Sequence, residues 1–156
     1  NLKKIKSEYF NKYKSNKLYS IYSELEIMII GSLIEKEGLG YIDKKKISSV
    51  IINRLNKKMK LQIDATVIFA ITDGKFDLDR DLLYKDLKIN NKFNTYLYKG
   101  LPPKPISYVG KNTLDIFFKD YKTDLLFYFF NNSLKRHIFS KSFEEHKKKL
   151  NEYRNR

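Results

Sequence analysis

Glu35 and Glu37 stand at the end of an almost wholly apolar run, Ile27-Met28-Ile29-Ile30-Gly31-Ser32-Leu33-Ile34. A carboxyl set among apolar groups is disfavoured as an anion and keeps its proton to higher pH, which is what a general acid needs. At helical spacing the face of Glu35 also carries Ser32, Gly31 and Met28, so the neighbour one turn back has no side chain and leaves a notch for a ligand. The plainer reading of Glu35 is a helix-end glutamate paired with a lysine such as Lys36. Glu37 lies about 200° around the helix from Glu35 and is expected to point elsewhere, toward Arg54.

Other polar groups punctuate the chain. Asn53 is either solvated or aimed at a neighbouring site, and Arg54, on the buried side of its helix, wants a carboxylate partner. Asp64 is expected to cap a short apolar helix, with Gln62 and Thr66 flanking it; these two either serve that turn or present hydrogen-bonding groups into a cleft. Asn94-Thr95-Tyr96 precedes Leu101-Pro102-Pro103-Lys104-Pro105-Ile106, where all three prolines fall. Prolines stiffen a chain into an extended path, which here either lines a groove or merely connects. His137 stands in a strand, as a donor to a ligand or as a satisfied structural histidine.

The elements that position these groups follow from caps and periodicity. Ser23 and Glu26 form a capping-box pattern ahead of the apolar helix, and Gly38 is placed to close it in a left-handed turn. Asp43 is placed to cap a second helix carrying Ile47, Val50, Ile51 and Leu55 on one face. Residues 1–22 read as one or two basic amphipathic helical segments packed onto the rest, and residues 75–92 as a short helix and loop. Lys111–Lys119 reads as a helix, and Leu125–Phe130 as a buried strand paired with Arg136–Ser140 in a hairpin. Ser142-Phe143-Glu144-Glu145 opens a basic C-terminal helix. The expected fold is an α+β domain, mostly helical, with a small antiparallel sheet that includes the C-terminal hairpin, spanning 1–156 as one unit.

Composition narrows the chemistry. The chain has 156 residues, 42% of them hydrophobic, which is enough for a sizeable core. It has no cysteine, so thiolate chemistry is excluded, and with only His137 and His146 no multi-histidine metal site is expected. No apolar run approaches the roughly 20 residues that cross a bilayer. The net charge of +14 invites a nucleic-acid reading, but the lysines are scattered and no nucleic-acid motif accompanies them. An anionic lipid or an acidic wall polymer would suit such a surface equally.

Taken together, several ordered motifs resemble the endolytic murein transglycosylases of the YceG-like type. Gly31-Ser32-Leu33-Ile34-Glu35-Lys36-Glu37 looks like that family's Ala-Ser-Ile-Ile-Glu-Lys-Glu. Asn53-Arg54-Leu55 and Leu61-Gln62-Ile63-Asp64-Ala65-Thr66-Val67 are similar to its Asn-Arg-Leu and Leu-Gln-Ser-Asp-Pro-Thr-Val. Asn94-Thr95-Tyr96 and Gly100-Leu101-Pro102-Pro103-Lys104-Pro105-Ile106 look like its Asn-Thr-Tyr and Gly-Leu-Pro-Pro-Gly-Pro-Ile; His137-x-Phe139-Ser140 and Glu145-His146 match its last motifs. The match covers roughly residues 23–150. Ala65 stands for the usual proline, and Ser107-Tyr108-Val109-Gly110 for an Asn-Pro-Gly-like turn.

The resemblance implies a lytic transglycosylase that cuts the β-1,4 bond between N-acetylmuramic acid and N-acetylglucosamine of nascent peptidoglycan, leaving 1,6-anhydro ends and ending strand elongation. It implies Glu35 as the single catalytic acid, its pKa raised toward neutrality by the apolar run. Gln62, Thr66, Asn94, Thr95, Tyr96, Pro102, Pro103 and His137 are the implied substrate contacts, with Asp64, Asn53 and Arg54 in support. No cofactor or metal is expected. The implied partners are glycan strands and a peptidoglycan synthase, not nucleic acid. The implied location is the outer, periplasmic face of the inner membrane, with the family's membrane anchor and small preceding domain absent from this chain. The alternative is a peptidoglycan-binding module that holds strands without cutting them.

Overall fold

The computed structural model describes residues 2–154; the expectation of one unit over 1–156 extends past it at both ends. In chain order the elements are α1 (Leu2–Asn11), α2 (Lys17–Ile21), α3 (Glu24–Glu37), α4 (Tyr41–Asn56), α5 (Asp64–Thr72), a 3₁₀ turn (Tyr84–Lys88), α6 (Lys111–Phe118), β1 (Phe127–Asn131), β2 (Arg136–Ser140) and α7 (Phe143–Arg154). The fold is mostly helical with a two-stranded antiparallel sheet near its C-terminus, as the sequence leads one to expect.

Helix α3 is the hub. Ser23 Oγ accepts from the Glu26 N–H at 3.1 Å while Glu26 Oε1 accepts from the Ser23 N–H at 3.0 Å, so the capping box forms as expected. Ile27, Ile30, Leu33 and Ile34 are completely buried, because α3 is covered by α4, α5 and α6 on different sides. Burying such a side chain contributes about 1.5–3 kcal/mol, and the central run therefore needs no polar face. The other end differs from expectation. Gly38 closes α3 in an extended conformation, φ −84° and ψ 145°, rather than a left-handed one. Glycine is needed there for space: a Cβ would lie 2.2 Å from Cγ of Lys44.

Gly31 also serves packing rather than a ligand notch. It is fully enclosed, and a Cβ on it would meet Val109 Cγ1 at 2.7 Å and Leu114 Cδ2 at 3.3 Å. The missing side chain lets the segment before α6 press onto α3. Ser32, one residue on, fastens the same segment: its Oγ accepts from the Ile106 N–H at 3.1 Å, and its carbonyl accepts from Ser107 Oγ at 3.3 Å.

Around this centre, α1 and α2 pack as amphipathic segments, with Phe10 and Leu18 buried and the Tyr13 ring stacked on Phe118 at 4.1 Å. The hydroxyls of Tyr9 and Tyr13 converge on Asp115. Strand β1 starts two residues later than expected and is only half covered, since a two-stranded sheet has α7 on one face and Phe130 stays exposed. Its register sets Phe129 opposite Ile138 and Asn131 opposite Arg136.

Gly31 and Val109 are coupled by contact, since a Cβ at 31 would run into Val109 Cγ1. Gly31→Ala is expected to destabilise the fold by about 1–3 kcal/mol through overpacking. Adding Val109→Ala should recover most of that loss. Urea denaturation of the two single variants and the double variant measures the coupling.

Candidate functional site

Two residues apart on the last turn of α3, Glu35 and Glu37 enter opposite surroundings. Glu35 faces α4 and α6. Lys44 Nζ donates to its Oε2 at 2.5 Å, Thr113 Oγ1 donates to the same oxygen at 2.7 Å, and the Gly110 N–H donates to Oε1 at 2.8 Å. Lys44 also reaches Thr113 at 3.0 Å. Desolvation is the largest single influence on this carboxyl and pushes its pKa up, but Lys44, Thr113 and the Gly110 amide together outweigh it and hold the group below its ordinary value. The expectation of a raised pKa at Glu35 is thus reversed. The apolar run lies behind it, but a cation and two donors have been brought in front by other elements.

Glu37 faces α5 and the hairpin. Burial is the main influence on its carboxyl, and the neighbouring carboxylates of Asp64 and Asp43 add to it. The Ala65 amide, in the first turn of α5, and the Tyr128 hydroxyl favour its anion and pull the other way, leaving its pKa pushed up to about 7. A helix N-terminus ordinarily favours an anion; here burial and two like charges win.

The groups around Glu37 line three clefts. Ala65 lies in one of about 690 Å³, between α5 and Ile106-Ser107-Tyr108. Asp43 lies in one of about 490 Å³, with His137. Tyr96 and Tyr128 lie in one of about 170 Å³, with Gln62, Arg54 and His146. Tyr96 donates to Asp64 Oδ1 at 2.5 Å. Burial pushes the hydroxyls of both Tyr96 and Tyr128 well above their ordinary range, so both remain donors. His137 Nδ1 is 2.8 Å from Asp43 Oδ2, and the Tyr128 ring meets the imidazole edge-on at 5.3 Å.

Several residues expected to touch a ligand are instead spent on holding this constellation. Thr66 and Asn94 are fully buried and Thr95 nearly so. Thr95 Oγ1 accepts from the Ile63 N–H at 2.9 Å and lies 2.8 Å from Thr66 Oγ1, which donates to the Ile63 carbonyl at 2.6 Å. Asn94 Nδ2 donates to the carbonyls of Leu87 and Ile89 at 3.0 and 2.9 Å. Asn53 Nδ2 bonds the Thr123 and Leu125 carbonyls, each at 2.9 Å. Among the described residues Arg54 takes no carboxylate: its guanidinium donates to the carbonyls of Leu126, Lys60 and Leu61 at 2.6, 2.8 and 3.2 Å and lies 5.0 Å over the Phe127 ring. Together these ties fix the start of α5 and the start of β1 beside α4.

Other expectations are corrected in kind. Asp64 is the first residue of α5 and makes no cap bond; its carboxylate is left for Tyr96. Asp43 sits within the first turn of α4, accepting from the Leu39 N–H at 2.9 Å as well as facing His137. Pro102 is buried, and Pro103 is exposed but lines none of the three clefts; only the Ile106 end of that segment forms a cleft wall. Gln62 is exposed, with φ 52°, held in that left-handed turn by its N–H to the Thr95 carbonyl at 3.2 Å, and its side chain faces the smallest cleft. Tyr128 was hidden within an apolar strand run, where only a hydroxyl among phenylalanines distinguishes it.

The Glu35 clasp generates a stability test. Glu35→Gln is expected to destabilise the protein by roughly 1–3 kcal/mol at neutral pH, because charge-assisted bonds are lost from a partly buried site. A carboxyl whose folded pKa is below the ordinary 4.5 contributes stability that is present above that pH and lost as pH falls through the lowered value. Denaturant unfolding of both proteins from about pH 6 down to about pH 3 should therefore show their difference shrinking.

Comparison with known proteins agrees with the motifs. The sequence profile of the YceG-like family matches residues 2–152. The chain is 40% identical over 147 residues to an endolytic murein transglycosylase of Bacillus subtilis (strain 168), covering 94% of this chain and 39% of that protein. It is 28% identical over 152 residues to an endolytic murein transglycosylase of Streptococcus pneumoniae (serotype 2, strain D39), covering 96% of this chain and 26% of that one. A crystal structure of a YceG-like protein from Listeria monocytogenes superposes with a TM-score of 0.78 at 36% identity, over 88% of this chain and 44% of that chain. The chain thus spans less than half the length of each of these relatives.

Proposed function

The chain belongs to the YceG-like family, and from that premise we propose that residues 2–154 form a catalytic domain that cleaves peptidoglycan glycan strands as a lytic transglycosylase, with Glu37 as its acid and base. The observation that carries this reading is the setting of Glu37: a carboxyl at the first turn of α5, beside Asp64 and under Tyr128, with its pKa near 7. A group titrating near the working pH is suited both to give a proton and to take one back. Glu35, ion-paired and hydrogen-bonded on both oxygens, has no proton to give and serves to fix the end of α3.

The chemistry balances with one such carboxyl. Protonated Glu37 gives its proton to the oxygen of the β-1,4 bond between N-acetylmuramic acid and N-acetylglucosamine as the bond from the muramyl anomeric carbon breaks. The departing sugar leaves as an alcohol, and positive charge builds at the anomeric carbon, where the Asp64 carboxylate, whose charge bears on Glu37, offers a further anion. The Glu37 carboxylate then takes the proton of the muramyl 6-hydroxyl, whose oxygen closes onto the anomeric carbon as a 1,6-anhydro ring. An intramolecular nucleophile has an effective concentration on the order of 10⁵ M or more, so neither an activated water nor a second base is needed. Gln62, exposed in its left-handed turn, and the ring of Tyr96 are the groups placed to hold sugar.

The remaining parts of the reading follow the family. The substrate is nascent peptidoglycan at the outer face of the cytoplasmic membrane, and cleavage there ends strand growth beside a synthase. No helix among the described residues is long and apolar enough to cross a membrane.

Digestion of uncross-linked strands, with products read by mass spectrometry, tests the reaction. Anhydromuramyl ends are expected, and Glu37→Gln should lower their rate at least about 10²-fold, while Glu35→Gln keeps activity at temperatures where it is folded. Reducing muramyl ends would make the enzyme a hydrolase, and binding without products would make it a holding module. The first step requires protonated Glu37, so kcat/KM should fall as pH rises through about 7. Asp64→Asn removes a neighbouring charge that raises that pKa and should move the fall to lower pH.

A further inference from the structure

Two adjoining clefts beside the candidate site carry a charge that sugar rings do not call for. One, of about 490 Å³, lies between the α3–α4 junction and the hairpin, and the other, of about 590 Å³, between α4, β2 and α7. They share Lys46, Arg136, His137 and Phe139, so they form one trough along β2. The trough starts at Asp43 and His137, and Asp43 is one of the two carboxylates that bear on Glu37.

The ion pairs within it leave a surplus of cations. Lys122 is held by Asp120 at 2.9 Å and Lys149 by Glu145 at 2.8 Å. Among the described residues Lys46, Lys135, Arg136 and Lys141 have no carboxylate partner. Of the carboxylates lining the trough, Glu145 is taken by Lys149, which leaves Asp43, hydrogen-bonded to His137, and Asp124 against those four cations. Nor is Lys46 loosely hung. Lys46 Nζ sits 5.5 Å over the Phe139 ring, and the backbone of Arg136 is set in the hairpin ladder opposite Asn131, with its side chain exposed.

We propose that this trough binds the free carboxylates of the peptides carried on the glycan strand, so that the domain selects peptide-bearing strands over bare ones. The inference rests on the reading of the site as one for peptidoglycan. The two sugars of the strand are uncharged, because the muramyl carboxyl is consumed in the amide to its peptide. The anionic groups of the polymer are the peptide carboxylates, repeated along it, and planar carboxylates are what an arginine fork recognises best. A row of unpaired cations along a trough that starts at Asp43, whose charge bears on Glu37, fits such a repeat. Exposed ion pairs of this kind are individually weak and screened by salt, so the selection should be graded and salt-dependent.

The test uses Glu37→Gln protein, which holds a strand without turning it over, and two ligands: uncross-linked strands with intact peptides, and the same strands stripped by an amidase, with the muramyl carboxyls so freed then converted to neutral amides. Peptide-bearing strands should bind roughly tenfold more tightly at low salt, with the advantage mostly lost at about 0.5 M salt. Combining Lys46→Gln, Arg136→Gln and Lys141→Gln should abolish the advantage and leave affinity for stripped strands unchanged, which also reports that the variant is folded. Equal affinity for the two ligands overturns the proposal, and so does an equal loss on both in the triple variant. It is equally overturned if poly(glycerol phosphate) binds through these cations while the two strands bind alike, for then the trough serves a phosphate polymer. Wild-type cleavage of stripped strands is read separately. Absence of cleavage on the peptide-bearing strands as well, with the peptide-dependent affinity intact, would defeat the cleavage reading alone.

Discussion

The structure depends on how the last turn of α3 is held. A helix with so apolar a middle is fixed sideways by packing, but packing alone leaves its end free to rotate and slide. Glu35 removes that freedom. Its two oxygens are bound to α4 through Lys44, and to the start of α6 through the Gly110 amide and Thr113. With Gly31 admitting Val109 and Ser32 tying Ile106 and Ser107, the segment leading into α6 is pressed along the same helix. Once Glu35 is fixed, Glu37, on another side of the same turn, is carried into the corner between α5 and the hairpin.

That corner shows how two chemically identical side chains acquire opposite properties. Both are partly shielded from water, and for both desolvation is the largest influence. What differs is the partner. Glu35 meets an ammonium and two donors, and its anion is favoured. Glu37 meets two further carboxylates and only an amide and a phenol, and its proton is retained. Shielding alone does not make an acid; the sign of the nearby charge decides.

Much of the polar chemistry nearby is structural. Arg54, Asn53 and Asn94 satisfy backbone carbonyls of segments that lack regular hydrogen bonding, and Thr66 and Thr95 knit the turn before α5. Buried carbonyls and amides must find partners, and long irregular stretches such as 57–63 and 89–110 contain many. These side chains act as cross-ties, and through them the left-handed turn at Gln62 and the first turn of α5 hold still enough to face Glu37.

The sequence by itself determined the helical core, the capping box at Ser23, the hairpin and the family, because caps, periodicity and ordered motifs are local signals that survive without knowledge of neighbours. It also placed Glu35 and Glu37 on different sides of one helix. It did not determine which of them keeps a proton, because the deciding groups come from other elements: Lys44, Gly110 and Thr113 for one, Asp43, Asp64, Ala65 and Tyr128 for the other. Nor did it separate Gln62 and Tyr96, which line a cleft, from Thr66, Asn94 and Thr95, which are sealed inside. A polar residue in a motif looks the same whether it faces a ligand or a backbone carbonyl, and only tertiary packing decides which of the two it meets.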